Sequence, residues 1–289
     1  MPTKGLTPPS SCWHIACWDY LTCYQFNTAA HGPMQAAQFN AVKHQLGGIL
    51  DRDDPANPFK DWSFVFVPYC TGDLHAGSAI TTYTNNSDTH DHHHVGHTNI
   101  RAYLARLLAT FPSLDRFALT GASAGGYGAL FNYAIFRDTL APAESLLIDD
   151  SAPPLEGDAV PEFERIAWAA SWGYTDLLTR LCGPTCKDDL SLGLPALAAR
   201  YPSDRLSLLS SLQDRTISQY VFADGPTFEG HLRHLAATVI APLASMRVFF
   251  IAGSSHTMLG DPAAVPGLWD WLAAQASGTD WTSVIPPEN

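Results

Sequence analysis

The stretch Leu119-Thr120-Gly121-Ala122-Ser123-Ala124-Gly125-Gly126-Tyr127-Gly128 decides how the rest of the chain is read. Residues 116–119, just before it, read as a short apolar strand. Residues 124–136, just after it, are small and apolar enough for a buried helix. A Gly-x-Ser-x-Gly between strand and helix is the signature of a nucleophile elbow. The turn is so tight that the serine's neighbours must lack bulk, and its hydroxyl is pushed out above the sheet. The helix N-terminus behind it aims amide donors and positive dipole at any oxygen that gains charge there. The same residues also fit a glycine-rich turn that only packs helix on strand, so partner groups elsewhere must decide.

A serine hydroxyl is a poor nucleophile at neutral pH and needs a base, usually histidine, whose tautomer a carboxylate holds. On α/β sheets built around such an elbow the order is Ser, acid, His, each on a loop after a strand. His256 lies four residues past Ala252 in Gly253-Ser254-Ser255-His256-Thr257-Met258, the last strand-to-helix loop. Two places offer the acid. Asp214 ends the strand before the His-bearing strand, where it also suits a helix N-cap; Asp149 and Asp150 end the strand that follows the elbow. Asp214 matches the usual location better.

Outward from these loops, strands and helices alternate, which predicts one α/β domain over residues 1–289 with a mostly parallel sheet flanked by helices. Residues 1–16 show no periodicity. A helix is expected over 35–50, stopped at Gly47-Gly48, then a loop over 51–61 and a strand over 62–67. That strand runs into Pro68-Tyr69-Cys70-Thr71-Gly72-Asp73, a loop at a carboxyl end, where ligand-facing groups of open sheets gather. Further on come a helix over 98–110, a strand over 145–148, and short amphipathic helices over 161–203 that form a lid-like insertion. A strand over 205–211, helices over 215–223 and 227–241, a strand over 246–252 and a final helix with Trp269, Trp271 and Leu272 complete the order. Trp62, Phe64 and Phe66, with Trp168 and Trp172, are expected in the core or lining a cleft.

The chain has 289 residues and a net charge of −12, which repels phosphate backbones and anionic membranes, so nucleic acid is not an expected partner. No apolar run reaches membrane-spanning length. Six cysteines include the close pairs Cys17/Cys23 and Cys182/Cys186, which suggest disulfides and an oxidising compartment. Zinc at Cys182-Gly183-Pro184-Thr185-Cys186 would need a second ligand pair that does not follow. Residues 1–10 carry no signal-peptide core, as a mature chain with an added Met, or a damaged gene start, would explain. His90-Asp91-His92-His93-His94 with His97 offers metal ligands, but consecutive histidines point apart. A solvated, substrate-facing loop without metal is therefore the expectation.

Several stretches together resemble the pectin acetylesterase family, whose animal branch is the Notum carboxylesterases. They are Ala16-Cys17-Trp18-Asp19 with Thr22-Cys23, Val67 to Asp73, Val95-Gly96-His97-Thr98-Asn99, Thr120 to Gly126, Asp149-Asp150-Ser151 and Ser254-Ser255-His256. The chain looks like a bacterial-type member. The resemblance implies an α/β-hydrolase-like fold and a secreted or periplasmic, cofactor-free carboxylic-ester hydrolase. It implies Ser123 as nucleophile, His256 as base, Asp214 as orienter, a Cys17–Cys23 disulfide, and a cleft-side role for Tyr69, Thr71, Gly72 and Asp73. Plant members remove acetyl groups from pectin, so an acetylated polysaccharide is the implied ester substrate. One departure stands out. Where the family carries opening strands and a glycine run, this chain has Ser10-Ser11-Cys12-Trp13-His14-Ile15. The family's N-terminal strands are thus expected to be missing, leaving a raw sheet edge, and Cys70 has only Cys12 to pair with. Oxyanion donors must then come from the elbow side, at Ala124 and Gly125, and from residues 13–16, ending at Ala16; losing one costs about 10²–10³ in rate. The alternative is a catalytically impaired relic that binds carbohydrate or lipid. Oligomeric state does not follow from the sequence.

Overall fold

A computed structural model of the chain describes residues 16–26, 29, 34–42 and 47–288. Helix α1 (Ala36–Val42) precedes a hairpin of β1 (Ala79–Thr84) and β2 (Thr89–His94), and α2 (Gly96–Thr110) follows. Then come β3 (Arg116–Ala122), α3 (Ala124–Leu140) and β4 (Glu144–Asp150), with α4 (Glu162–Trp172), α5 (Thr175–Cys182) and α6 (Gly193–Arg200) before β5 (Arg205–Ser211). The chain continues through α7 (Arg215–Tyr220), α8 (Gly225–His234), a π-helical extension Leu235–Ile240, β6 (Met246–Ile251) and α9 (Leu268–Ser277).

Strands β3, β4, β5 and β6 form one parallel sheet in that order, with Leu119 opposite Leu147 and Leu208 opposite Val248. Side chains alternate across it. Leu147, Leu206, Leu208, Val248 and Phe250 enter one core with α3 and the 161–203 helices. Leu146, Ile148, Leu209 and Phe249 enter a second core with Leu268, Trp271 and Leu272 of α9. A parallel sheet covered on both faces buries side chains on both, which is why Leu146, Leu147 and Ile148 of β4 and Leu208 and Leu209 of β5 are consecutive apolar residues. The 161–203 insertion lies between β4 and β5 and contributes Trp172, Leu178, Leu194 and Leu197 to the first core, so it is a packed layer. Val284 covers the outer edge of β6, through Phe250 N–H to Val284 O and Val284 N–H to Val248 O.

Three local expectations change. Residues 62–67 show the alternation of a strand, Trp62, Phe64 and Phe66 inward and Ser63 and Val65 outward, but no ladder is formed among the described residues. A strand needs a neighbour's amides and carbonyls, and alternation alone does not supply them. The segment lies by β3, with the Arg116 guanidinium 4.9 Å over the Trp62 ring, and β3 has no second strand partner among the described residues. Of the helix expected over 35–50, Ala36–Val42 is helical and Gly48–Leu50 is a 3-10 turn; residues 43–46 lie outside the described residues. Gly48 has φ +60°, and a Cβ there would run into the Leu259 and Gly260 backbone. The histidine-rich stretch is the hairpin strand β2, not a solvated loop. Its threonine-rich partner favours β structure, and Asn85 closes the turn by accepting from Ser87 and Asp88 amides at 2.8 Å.

Both close cysteine pairs are disulfides, Cys17–Cys23 and Cys182–Cys186, and the latter ties α5 to the turn after it. Cys70 is disulfide-bonded too, and its expected partner, Cys12, lies outside the described residues. No helix among the described residues is long and apolar enough to cross a membrane.

Candidate active site

Strand β3 delivers Ser123 to the carboxyl edge of the sheet in a positive-φ conformation, φ 56° and ψ −123°. A non-glycine residue stays there only when its surroundings over-determine it. Here they do: Ser123 N–H donates to Asp150 O at 2.7 Å, and its carbonyl accepts from Gly126 N–H at 2.9 Å and Tyr127 N–H at 3.2 Å. A Cβ on Gly121 would run into the Gly125 backbone, and one on Gly126 into the Asp149 carboxylate and Ala152. Gly125 faces open space. The crowded glycines are therefore 121 and 126, and the last glycine of the Gly-x-Ser-x-Gly motif is not one of them.

Asp214 and His256 emerge on the same sheet edge, after β5 and β6. His256 Nδ1 lies 2.8 Å from Asp214 Oδ2. Asp214 is fully buried, and its other oxygen caps α7 by accepting from Thr216 N–H at 2.9 Å and Ile217 N–H at 3.0 Å. The N-cap and the histidine partner are thus one carboxylate using two oxygens. The Asp149/Asp150 pair has another task. Asp150 Oδ2 accepts from Met258 N–H at 2.7 Å and Leu259 N–H at 2.8 Å, while Ser151 Oγ accepts from Thr257 N–H at 3.1 Å. Together they clamp the loop just past His256. Burial, then the neighbouring Asp150 charge, pushes the Asp149 carboxyl well above the usual carboxylate range, and its Oδ1 has no hydrogen-bond partner among the described residues.

The Ser123 hydroxyl makes no hydrogen bond among the described residues, so the Asp–His half is assembled and the Ser–His bond is not. Such bonds are often loose before substrate binds. Beside Ser123 is a cavity of about 40 Å³ lined by Ala16, Leu74, Ala124, Tyr127, Trp168 and Ile217 among others, almost entirely apolar. Tyr127 is fixed there by its hydroxyl donating to Pro153 O at 3.0 Å. A larger cavity of about 390 Å³ behind the His256 loop is lined by none of Ser123, Asp214 and His256.

Ala16 and Ala124, expected to serve an oxyanion, both border the Ser123 cavity, whereas residues 13–15 lie outside the described residues. Thr71, Gly72 and Asp73 are buried scaffold. Thr71 Oγ1 donates to Asp73 Oδ1 at 2.5 Å, Gly96 N–H donates to Asp73 Oδ2 at 2.7 Å, and a Cβ on Gly72 would meet the Cys17 sulfur at 2.8 Å. Tyr69, half-buried, accepts from Leu74 N–H at 2.9 Å and packs against His75 with the rings tilted by 42°. Leu74 is the residue of this loop that reaches the cavity. Of the aromatic pairs, Trp168 lines the cavity and stacks on buried Trp172 at 5.5 Å. Sequence reading missed the Asp150–Ser151 clamp, although a carboxylate and hydroxyl ending a strand at the carboxyl edge of the sheet were visible. It also missed Leu74 and Tyr127, which carry no sequence signal beyond being apolar. The histidines disperse: His90 meets Asp88, His97 meets Asn132, His93 faces solvent, and only His92 and His94 turn inward together.

Residues 15–151 match the family model described as Pectinacetylesterase. The match supports the pectinacetylesterase–Notum family. Palmitoleoyl-protein carboxylesterase NOTUM of Schmidtea mediterranea is 31% identical over 119 residues, 40% of this chain and 21% of that protein. The Drosophila melanogaster protein of the same name is 28% identical over 141 residues, 47% of this chain and 20% of that one. The matched stretch thus spans about a fifth of each curated relative. A crystal structure of the Wnt deacylase Notum from Drosophila superposes with TM-score 0.59 at 17% identity, covering 94% of this chain and 84% of that one. That likeness shows an α/β-hydrolase-like fold. The curated relatives are named as carboxylesterases.

Proposed function

We propose that this chain is a serine carboxylic-ester hydrolase that removes acetyl or other short acyl groups, with an acetylated polysaccharide such as pectin as substrate. The observation that carries the reading is the 2.8 Å His256–Asp214 pair on the same sheet edge as the strained Ser123. With Asp214 accepting from Nδ1–H, the imidazole presents an unprotonated Nε2 as base. Ser123 Oγ attacks the acyl carbon as His256 takes its proton, and the Ala124 amide, first in α3, faces the oxyanion. The imidazolium then protonates the departing alcohol, and water, activated by His256, releases the acid and restores Ser123. The small, almost entirely apolar cavity of about 40 Å³ beside Ser123 supports a short acyl group over a long chain. The curated relatives are named for palmitoleoyl-protein esters, so chain length is the point at which this chain is proposed to differ from them.

The test is hydrolysis of p-nitrophenyl esters of increasing chain length by the wild type and by Ser123→Ala. Expected are turnover that falls beyond the shortest acyl groups and a loss of at least about 10³-fold in the variant. Fluorophosphonate labelling of Ser123 accompanies it. Unchanged turnover in Ser123→Ala, or a folded protein that neither hydrolyses nor labels, overturns the reading; the second result favours the relic that only binds.

A further inference from the structure

A second set of reactive side chains converges away from Ser123. The hairpin β1–β2 lies over the segment that carries Cys17 and Cys23, with Tyr83 of β1 packed in one small core with both cysteines. Because side chains alternate along a strand, His92 and His94 turn to this buried face while His93 faces out. One ligand atom from each of Cys17, Cys23, His92 and His94 lies within 4.8 Å of all the others, and all four residues are buried. The separations include 3.7 Å from Cys17 Sγ to His92 Nε2 and 4.4 Å between the two imidazole centroids.

Two cysteines and two histidines are the donor set of a closed tetrahedral zinc site. Zinc bonds of about 2.3 Å to sulfur and 2.0–2.1 Å to nitrogen put a sulfur and a nitrogen roughly 3.6 Å apart and two sulfurs roughly 3.8 Å apart. The Cys17–His92 separation already fits. The sulfurs do not, because they are bonded to each other. The imidazoles also have the outer partners that metal-bound histidines need. The Tyr24 hydroxyl is 3.3 Å from His92 Nδ1 and the Tyr83 hydroxyl 2.8 Å from His94 Nε2, which leaves His92 Nε2 and His94 Nδ1, now 3.3 and 3.0 Å from Thr71 O, to turn to the ion. A tyrosine hydroxyl can give or take a proton, so either tautomer is served.

We propose that Cys17, Cys23, His92 and His94 form a redox-gated metal site, closed to metal while the disulfide stands and binding a zinc-class divalent cation once a dithiol reduces it. In the first step the dithiol's two electrons and two protons convert the protein disulfide to two thiols, and the dithiol becomes a disulfide. In the second the ion binds two thiolates and two neutral imidazole nitrogens, and two protons leave. The gate adjoins the Ser123 cavity through the backbone. Cys17 N–H donates to Gly72 O at 2.8 Å, Cys17 O accepts from Trp172 Nε1 at 2.7 Å, and the preceding residue, Ala16, lines the cavity.

The experiment uses the full chain, reduced with dithiothreitol, freed of reductant without air, and titrated with Co(II) as a spectroscopic stand-in for zinc. Expected are about one Co(II) per chain with the intense visible bands of tetrahedral cobalt–thiolate, displaced by zinc, and no such bands in the oxidised protein. The double variant His92→Ala/His94→Ala, checked for folding in its oxidised form by circular dichroism, should bind at least about tenfold more weakly and lose those bands. His93→Ala, one residue away on the outer face, should keep them. Bands that persist in the double variant would assign binding to the other thiols and overturn the proposal. So would a reduced chain that forms no bands, whether it stays folded or unfolds without recovery on adding zinc.

Discussion

At the residue scale the informative side chain is Asp214. Its two oxygens face two ways, one to His256 and one to the first amides of α7, so substitutions separate the two uses. In Asp214→Asn the cap survives, because an amide oxygen can still accept, but the carboxylate that selects the histidine tautomer is gone. The expected result is kcat lower by about 10³–10⁴ with unfolding free energy nearly unchanged. Asp214→Ala should lose the same activity and a further ~1 kcal/mol of stability with the cap. Ester kinetics and urea unfolding of the two variants measure this, and wild-type kcat in Asp214→Asn would show that another group orients His256. In the sequence, Asp214 was distinguishable from Asp149 and Asp150 only by strand order. The buried Asp150, which holds the His256 loop, is as close to that loop in space as it is distant in sequence.

At the scale of elements, the elbow and the histidine hairpin teach opposite lessons. The elbow was legible because its constraints are local: a strand, a tight turn and a helix within a few residues need small side chains wherever backbone meets backbone. Which glycine is crowded was not legible, since the atoms facing Gly126 belong to the end of β4. Gly126→Ala is expected to cost about 1–3 kcal/mol, because Asp149 and Ala152 must shift to admit a methyl group. Gly125→Ala, with open space beside it and better helix propensity, should stay within roughly 0.5 kcal/mol of the wild type or gain slightly. Equal costs in urea unfolding would show that the end of β4 yields easily. The hairpin was misread as a loop because strings of His, Asp and Thr carry little apolar signal. Alternation nevertheless gives β2 one buried face, set by what lies beneath it.

For the whole molecule, burial of acids on the scale of the fold sets how stability answers to pH. Glu164 on α4 is buried with one oxygen unpartnered among the described residues, and burial pushes its carboxyl from 4.5 up to about 7. Asp73 is pushed up to about 6, also chiefly by burial. A group raised in this way holds in the folded chain a proton that the unfolded chain releases. Its favourable share is complete below pH 4.5 and is lost as pH rises through 7. Glu164→Gln keeps the shape without the charge and should flatten the decline between pH 5 and 7.5 by roughly 1–3 kcal/mol. Urea unfolding at those two pH values checks it, and a slope identical to the wild type's would sink the assignment to Glu164.

The sequence was sufficient for the alternation of strands and helices, the strand–turn–helix at Ser123, the placing of Asp214 and His256 at the ends of later strands and the two close cysteine pairs. Each of these rests on interactions within a few residues or on chain order, so each leaves a mark in periodicity, glycine placement or spacing. It ranked Asp214 above Asp149 and Asp150 by strand order alone, and was not sufficient for the Asp150–Ser151 clamp or for the inward turn of His92 and His94 onto Cys17 and Cys23. Those last pairings join positions from 75 to 109 residues apart. They exist only because strand order and side-chain alternation bring those side chains into one buried space, where a polar group must find a partner or lose its charge.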